Sequence, residues 1–385
     1  MTSNDSESPI IRFVNHVFEH AIAKKASDIH FETFTDAVVI RLRVDGVLEE
    51  LPSPDRHLGN AIISRIKTIA GLDLAERRLP QDGHVEIKYL NRVVDFRVST
   101  LPTQYGESVV LRVLDKDSWH FDLNLMGIPE NVLAEIRKNL HTGSGIILTT
   151  GPTGSGKTTT LYSALHEINN EEIKILTAED PVEYEIDGIV QVNIRDDIGL
   201  SFEKTLRSFL RHDPDKILIG ELRDSITAKI AIQAALTGHL VLGTLHTNDA
   251  PAAITRLVDM GIEPFLIADT IRGILAQRLL RKICENCKEK APRTRIFEEK
   301  YPELADSEYY IGKGCPQCNN TGYSGRFGIY EWLDINAEIR QSIRNLVPLE
   351  NLQKIALDQG LVPLKTQAIE AVKNGQTTIH ELDKV

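Results

Sequence analysis

The sequence predicts an α/β fold with a mostly parallel sheet, preceded by a smaller α+β domain. Downstream of residue 125, short apolar runs alternate with helical patterns, which is typical of a sheet covered on both faces. These runs are 146–149, 173–176, 216–219 and 240–245. A complete phosphate-loop motif follows the first run. Upstream, apolar and polar residues alternate as they do in half-buried strands.

The N-terminal domain is expected to span residues 1–116. It opens with apolar residues at helical spacing from Ile10 to Ile22, which predict a helix. Residues 37–44 then alternate between apolar and polar, and Asp45-Gly46 follows as a hairpin turn signal.

The second half of this domain repeats the pattern of a helix followed by strands. A helical stretch at about residues 58–70 leads into two alternating runs at 92–99 and 108–114. Polar residues then follow, and we expect residues 117–124 to link this domain to the next.

The second domain, 125–385, contains the phosphate loop. Residues 151–158 read Gly-Pro-Thr-Gly-Ser-Gly-Lys-Thr between a strand-like run and a helix-like run. The glycines let backbone N–H groups turn toward a β/γ-phosphate, and the helix N-terminus adds donors. Lys157 can reach phosphate oxygens, and the Thr158 hydroxyl can ligate Mg²⁺. The sequence therefore predicts a nucleoside triphosphate and Mg²⁺ bound by Gly151, Pro152, Thr153, Gly154, Ser155, Gly156, Lys157, Thr158 and Thr159.

Acidic residues follow the next two apolar runs, in Glu179-Asp-Pro-Val-Glu183 and Gly220-Glu-Leu-Arg-Asp224. Ligands bind at the carboxyl ends of strands in such sheets, and phosphoryl transfer needs groups that hold a metal and orient a water. Helix capping or a place in a surface loop is the alternative for each acid. His239 and His246 bracket the following run, and with twelve histidines in the chain a structural role for each remains open.

Composition restricts the class of protein. The chain has 44 basic and 55 acidic side chains, so we expect no nucleic-acid partner. It contains no run of 18 apolar residues and begins without the basic and apolar regions of a signal peptide. We therefore expect a cytoplasmic protein.

The four cysteines form two pairs, Cys284-Glu-Asn-Cys287 and Cys315-Pro-Gln-Cys318, separated by 27 residues. Two such pairs can supply four thiolates to a structural Zn²⁺. The alternatives are ordinary buried cysteines or a redox pair. We expect a metal-binding insert at residues 283–328, followed by a C-terminal helical region at 329–385.

As a set, these motifs and the upstream Ser27-Asp-Ile-His-Phe-Glu32 strongly resemble the secretion ATPase family that powers type II secretion and type IV pilus assembly. The resemblance extends from about residue 10 to the end of the chain. It implies a PAS-like N-terminal domain, a RecA-like ATPase domain and a homo-hexameric ring. Within this family the four-cysteine insert resembles that of assembly motors and is absent from retraction motors.

The resemblance also implies residue roles. Glu183 matches the family's catalytic base, Glu221 matches the acid of its Walker B box, and His239 with His246 match its histidine box. Arg97 and Arg112 match arginines that reach the γ-phosphate from the N-terminal domain.

The two arginines also stand out by spacing, because each alternates with apolar neighbours on a predicted strand. If the strands pair as a hairpin about Gln104, the two guanidinium groups lie opposite each other and an anion is expected between them. From spacing alone, a local carboxylate such as Asp95 or Glu107 is favoured as that anion.

The implied function is a Mg²⁺-dependent ATPase that drives pilus or pseudopilus assembly through an inner-membrane platform protein. The alternatives are a retraction or DNA-uptake motor, and a nucleotide-gated scaffold with slow turnover. Many assembly ATPases dock to the membrane partner through an extra N-terminal domain, whereas this chain has about ten polar residues before its first helix. Another candidate for peripheral membrane attachment is the stretch 272–300, with nine basic and four acidic residues, although a solvated surface is the alternative.

Overall fold

The structure is a computed structural model that describes residues 8–115, 121–292, 299–305 and 307–385. The chain divides into two compact units, Met1–Trp119 and His120–Val385. The first four residues of the expected linker at 117–124 lie outside the described residues, and the last two begin a 3₁₀ helix, Leu123–Met126.

The first unit is a six-stranded antiparallel sheet with two helices, as expected for an α+β domain. The strands lie in the order β3-β2-β1-β6-β5-β4. The helices are α1 Pro9–Ala23 and α2 Gly59–Ile69, and the strands are β1 Asp28–Thr33, β2 Val38–Val44, β3 Val47–Leu51, β4 Gln81–Tyr89, β5 Arg92–Thr103 and β6 Gly106–Leu114.

The core of this unit follows the apolar spacing of the sequence. Val14 and Phe18 lie four residues apart on α1 and are fully buried, and Phe18 stacks on Phe96 of β5 at 5.1 Å. Asp45 and Gly46 connect β2 to β3 with φ values of 49° and 83°. Positive φ at both central residues is what a tight two-residue hairpin needs, and the predicted turn is confirmed.

The second unit contains a seven-stranded sheet in the order β15-β12-β7-β11-β10-β8-β9. In this spatial order, each strand from β12 onward is parallel to the next one. The edge strand β15 is antiparallel to β12. The four predicted strands correspond to β7 Gly145–Thr150, β8 Ile175–Glu179, β10 Lys216–Ile219 and β11 Leu240–Leu245. Three further strands were not predicted from the sequence: β9 Val190–Asn193, β12 Ile271–Ile283 and β15 Tyr323–Asp334.

Helices connect and cover these strands. They are α3 Glu130–Leu140, α4 Lys157–Ile168, α5 Phe202–Phe209, α6 Ser225–Leu236, α7 Ala250–Asp259, α8 Pro264–Thr270, α9 Ala337–Arg344, α10 Leu349–Asp358 and α11 Leu364–Lys373. Because β7, β8, β10 and β11 are parallel, the loops after them emerge at one edge of the sheet. That edge receives the phosphate loop and the acidic segments.

The C-terminal region differs from the expectation of a helical segment at 329–385. Residues 329–334 belong to β15, which pairs along β12 through contacts such as Arg278 with Ile329. Glu331 of β15 is buried and accepts hydrogen bonds from the N–H groups of Ala250 at 2.7 Å and Leu364 at 3.2 Å. One carboxylate thus satisfies the first turns of α7 and α11, which anchors these helices to the sheet.

The cysteine-rich segment joins β12 to β15 and contains a small sheet of β13 Lys288–Lys290 and β14 Tyr310–Gly312. Gly312 and Gly322 approach so closely that a Cβ on Gly312 would lie 2.0 Å from the carbonyl oxygen of Gly322. The C-terminal segment contacts the end of β12, just before the cysteine-rich segment begins. There, Glu381 accepts a hydrogen bond from Arg281 Nε at 2.8 Å.

The basic stretch 272–300 does not form a continuous free cationic surface in the part of the chain that the structure describes. Arg278 is buried, with 5% of its surface exposed. Several of the other cations have partners: Arg281 with Glu381, Lys290 with Glu308, and Lys300 with Asp383. Arg293 and Arg295 lie outside the described residues. These pairings are compatible with a solvated surface, and membrane attachment through this stretch stays a prediction.

None of the helices in the described ranges is both long enough and apolar enough to cross a bilayer.

Candidate active site

The phosphate loop connects β7 to α4 and requires glycine in its turns. Gly151, Gly154 and Gly156 have φ values of 148°, 79° and 91°. Other residues rarely adopt these conformations. A Cβ on Gly151 would also lie 2.6 Å from the backbone oxygen of Gln277. The loop is therefore pressed against β12, and α4 begins directly at Lys157.

Lys157 is held inside this loop. Its Nζ donates hydrogen bonds to the carbonyl oxygens of Gly151 at 2.7 Å and Pro152 at 3.1 Å. Burial lowers the pKa of Lys157 to about 8, with Glu221 opposing the shift and Arg278 adding to it. The ammonium is therefore held inside the loop by two backbone carbonyl oxygens.

A pocket beside the loop unites segments that are far apart in sequence. It is lined by Thr158, Glu179, Glu183, Glu221 and Thr244, among others. These residues come from the start of α4, the end of β8 and the acidic segment that follows it, the loop after β10, and the strand β11. The structure thus brings the two predicted acids together with the phosphate loop.

Glu179 has a structural role that was not predicted from the sequence. It is buried at the end of β8, accepts hydrogen bonds from the Tyr162 hydroxyl and from Thr177 Oγ1, and has its pKa raised by burial. The Tyr162 hydroxyl also accepts a hydrogen bond from the backbone N–H of Glu183 at 3.2 Å. Tyr162 of α4 therefore positions the acidic segment. The run 175–178 continues into Glu179 without a turn residue, a signal that this acid stays in the strand.

Glu221 lies in a cluster of charged and titratable groups. Its carboxylate is 2.7 Å from Arg223 Nε and 3.3 Å from His246 Nε2. Burial lowers the pKa of His246, and the nearby Lys157 lowers it further. Both effects favour the neutral imidazole although Glu221 opposes them, and Nε2 of the N–H tautomer can donate to Glu221.

His239 is not brought to this pocket. It precedes β11, whereas His246 follows it, and six strand residues separate the two by about 20 Å. His239 Nδ1 instead lies 2.9 Å from the carbonyl oxygen of Ala234. The expected place of His239 at the phosphates of its own chain is therefore not supported, because the two ends of one strand reach opposite edges of the sheet.

Arg97 and Arg112 are directly opposed in the β5–β6 pair, as the proposed hairpin required. Arg112 remains 59% exposed, and its Nε lies 3.3 Å from the Asp28 carboxylate of β1. Glu107 instead forms a buried ion pair with Lys67 at 2.9 Å. The carboxylate beside Arg112 thus comes from a strand distant in sequence, which spacing alone did not reveal.

The four cysteines converge as the sequence predicted. Their sulfur atoms all lie within 4.8 Å of one another, with separations of 3.8 Å for Cys284–Cys315 and for Cys287–Cys318. A tetrahedral Zn²⁺ with bonds of about 2.3 Å places its sulfurs about 3.8 Å apart. A disulfide requires about 2.05 Å. The four thiols therefore fit a metal ion with no open coordination position.

Comparisons with known proteins identify the family of this chain. A family model described as Type II/IV secretion system protein matches residues 3–384. The type II secretion system protein E of Aeromonas hydrophila is 45% identical over 388 residues, covering 99% of this chain and 76% of that protein. The type IV pilus assembly ATPase PilB of Myxococcus xanthus is 45% identical over 388 residues, covering 99% of this chain and 69% of that protein.

Solved structures share the fold. The pilus retraction motor PilT with bound ADP is 26% identical with a TM-score of 0.66, covering 96% of each chain. The Legionella pneumophila ATPase DotB is 23% identical with a TM-score of 0.75, covering 100% of this chain and 97% of that one, which supports the fold alone. The predicted α/β ATPase fold is confirmed. Because the family model matches almost the whole chain and relatives are 45% identical over 99% of it, this chain belongs to the type II/IV secretion system protein family and is an ATPase.

Proposed function

We propose that the chain is a Mg²⁺-dependent motor that hydrolyses ATP to ADP and phosphate and thereby powers assembly of type IV pili or of the type II secretion pseudopilus. The observation that carries this proposal is the pocket in which Thr158, Glu183 and Glu221 line one space beside the phosphate loop. The names of the relatives support both possible filaments, since they include protein E and PilB.

In this proposal the residues of the pocket and of the adjoining phosphate loop have different catalytic roles. The loop N–H groups and Lys157 bind the β- and γ-phosphates, and Glu183 accepts a proton from the attacking water as the bond from the γ-phosphorus to ADP breaks. Thr158 and Glu221 offer the oxygen ligands that Mg²⁺ prefers, so the donor set fits this ion. When bound, Mg²⁺ offsets charge on the phosphate oxygens. His246 and Arg223 keep the Glu221 carboxylate in place.

The four cysteines are proposed to hold a structural Zn²⁺. Their spacing fits tetrahedral coordination, and no open position remains for catalysis. By resemblance, this insert supports assembly over retraction. The similarity is also greater to PilB, at 45% identity, than to the retraction motor PilT, at 26%.

The proposed working form is a homo-hexamer at the cytoplasmic face of the inner membrane, where it acts on a platform protein. This part rests on the family resemblance. Purification of the chain from membranes, followed by identification of the bound proteins, tests it. Recovery of a platform protein with the chain supports the proposal. Recovery of nucleic acid with the chain instead supports the DNA-uptake alternative.

The hydrolytic assignment is tested by replacing Glu183 and Lys157. We expect Glu183→Gln to bind ATP but not cleave it, because the amide cannot accept the water proton. Lys157→Ala should lose nearly all turnover, because the fixed charge on the phosphates is removed. Phosphate release is measured with Mg²⁺ and with excess EDTA.

Glu185→Gln is the matched control, since Glu185 is exposed and lies two residues from Glu183. It should hydrolyse ATP at the parent rate. Hydrolysis at that rate by Glu183→Gln would show that the base is misassigned. If the parent protein itself releases scarcely any phosphate, the nucleotide-gated scaffold is the better description.

A further inference from the structure

Gln277 lies on β12 and is not part of any motif that the sequence analysis identified. Its side chain is buried, with 1% of the residue exposed. Both ends of its amide contact the phosphate-loop region. Nε2 donates to the carbonyl oxygen of Ser155 at 2.7 Å, and Oε1 accepts from Thr160 Oγ1 at 2.8 Å. One side chain therefore joins the loop, the first turn of α4 and the neighbouring strand.

The orientation of this amide is fixed by its partners. The Ser155 carbonyl can only accept, so it must face the NH₂ group of Gln277. Thr160 Oγ1 then faces the oxygen, and it also lies 3.3 Å from the carbonyl oxygen of Gly156. Turning the amide over would bring two acceptors together inside the protein, at the cost of an unsatisfied buried group.

This contact sets the direction of a backbone donor. The Ser155 carbonyl and the Gly156 N–H belong to one planar trans peptide, so they point in opposite directions. Because Gln277 holds the carbonyl toward β12, the N–H of Gly156 is turned away from β12. The arrangement also needs glycine, because a Cβ on Gly156 would lie 3.1 Å from Gln277 Nε2.

We propose that Gln277 is a positioning residue for nucleotide binding, acting through Ser155 and Thr160 to orient the loop amides before the phosphates arrive. The inference rests on the proposed nucleotide site at this loop. Without the contact, the glycine-rich loop has other conformations available, and binding must then order it. The expected loss of affinity therefore concerns contacts to the phosphates and not contacts to the base or ribose.

The first measurement is the affinity of the full chain for ADP and for AMP. Gln277→Met keeps an unbranched side chain of similar length but removes both amide bonds. We expect it to bind ADP roughly tenfold more weakly, with AMP affinity changed much less, because AMP has no β-phosphate for the loop. Equal losses for ADP and AMP would indicate general loosening and overturn the proposal.

Two further variants separate the two halves of the contact. Thr160→Val removes the hydroxyl that Oε1 accepts from, and we expect about threefold weaker ADP binding. In the double variant Gln277→Met/Thr160→Val, the loss should be close to that of Gln277→Met alone, because one linkage is broken in both. Full additivity would overturn the proposed linkage.

Gln367→Met provides the matched control. The amide of Gln367 bonds both backbone groups of Tyr330, with Nε2 at 2.6 Å from the oxygen and Oε1 at 3.1 Å from the nitrogen. It should lower the melting temperature without changing ADP affinity. If Gln277→Met instead lowers only the melting temperature, the residue is structural and the proposal fails.

A separate variant, Lys157→Ala, tests the nucleotide site itself. If Lys157→Ala binds ADP as tightly as the parent, the proposed site itself is wrong. If Lys157→Ala loses ADP but Gln277→Met does not, only the role of Gln277 is refuted. Should Gln277→Met not fold, Thr160→Val decides, and unchanged ADP affinity in that variant overturns the proposal.

Discussion

At the scale of single residues, burial determines which protonation states the proposed nucleotide site has. Lys157 loses hydration inside the loop, and its pKa falls to about 8. Burial also lowers the pKa of His246, with the Lys157 charge adding to the effect. The ammonium of Lys157 therefore lies close to its titration range at ordinary pH, which makes its charge sensitive to any bound anion.

This residue predicts a pH dependence of ADP binding. A bound phosphate raises the pKa of Lys157 above its value of about 8 in the free protein, since an opposite charge favours the ammonium. Between about pH 7 and pH 8 the lysine is already charged and the ADP phosphates stay ionised, so affinity should be flat. Above pH 8 binding must take up a proton, and affinity should fall by up to about tenfold per pH unit.

Calorimetry of ADP binding in buffers of different ionisation enthalpy measures this proton uptake directly. Lys157→Arg is the control, because its guanidinium stays charged throughout the range and should bind with no proton uptake. Equal proton uptake by the parent and Lys157→Arg at pH 9 would assign the titration to another group.

At the scale of elements, the cysteine-rich insert and the C-terminal segment support each other. Ile283 donates its N–H to Gln376, and the Tyr323 hydroxyl lies 2.7 Å from Thr378 Oγ1. The Arg281 guanidinium stacks on the Tyr323 ring at 3.8 Å while it pairs with the buried Glu381. Loss of the metal should therefore be felt in both segments, although they are far apart in sequence.

We expect one Zn²⁺ per chain to survive gel filtration, and Cys315→Ser to lose it. Because metal affinity contributes to folding of the insert, hydrogen exchange should accelerate around residues 284–322 and in residues 376–385. Elemental analysis of protein purified without chelator measures the metal. Finding no zinc in the parent would refute the site. ADP binding should persist in Cys315→Ser, since the cysteines are assigned no catalytic role.

At the scale of the whole molecule, the family resemblance implies that residues of both units contribute to hydrolysis. Arg97 and Arg112 belong to the first unit, and the phosphate loop belongs to the second. Two like charges directly opposed on adjacent strands are unfavourable, and Asp28 supplies one carboxylate near Arg112. Arg112 nevertheless remains 59% exposed, so it is available to a further anion.

We predict that Arg112→Ala, and less severely Arg97→Ala, lowers turnover far more than ATP affinity. An arginine that acts on the γ-phosphate in the transition state can change the rate by about 10³-fold. Phosphate release is measured on protein whose ring assembly is established by light scattering. Arg41→Ala is the control, because Arg41 is a strand arginine paired with Glu32. If both variants keep the parent rate in the assembled ring with their fold intact, the arginines are structural.

Local sequence patterns were sufficient to predict the fold class and the chemistry of the loop. The motif at 151–158 fixes a strand, a glycine-rich turn and a helix, because each depends on neighbouring residues in the chain. The convergence of the four cysteines could also be predicted, since the spacing within each pair already suits metal ligands. The tight turn at Asp45-Gly46 is likewise a local property.

Contacts between side chains that are distant in sequence depend on the tertiary structure. Gln277 reaches the loop because β12 lies beside β7, and Asp28 reaches Arg112 because β1 pairs with β6. His239 and His246 are close in sequence, yet a strand directs them to opposite edges of the sheet. Strand order depends on packing of the whole sheet, so it cannot be predicted from the spacing of residues that are close in sequence.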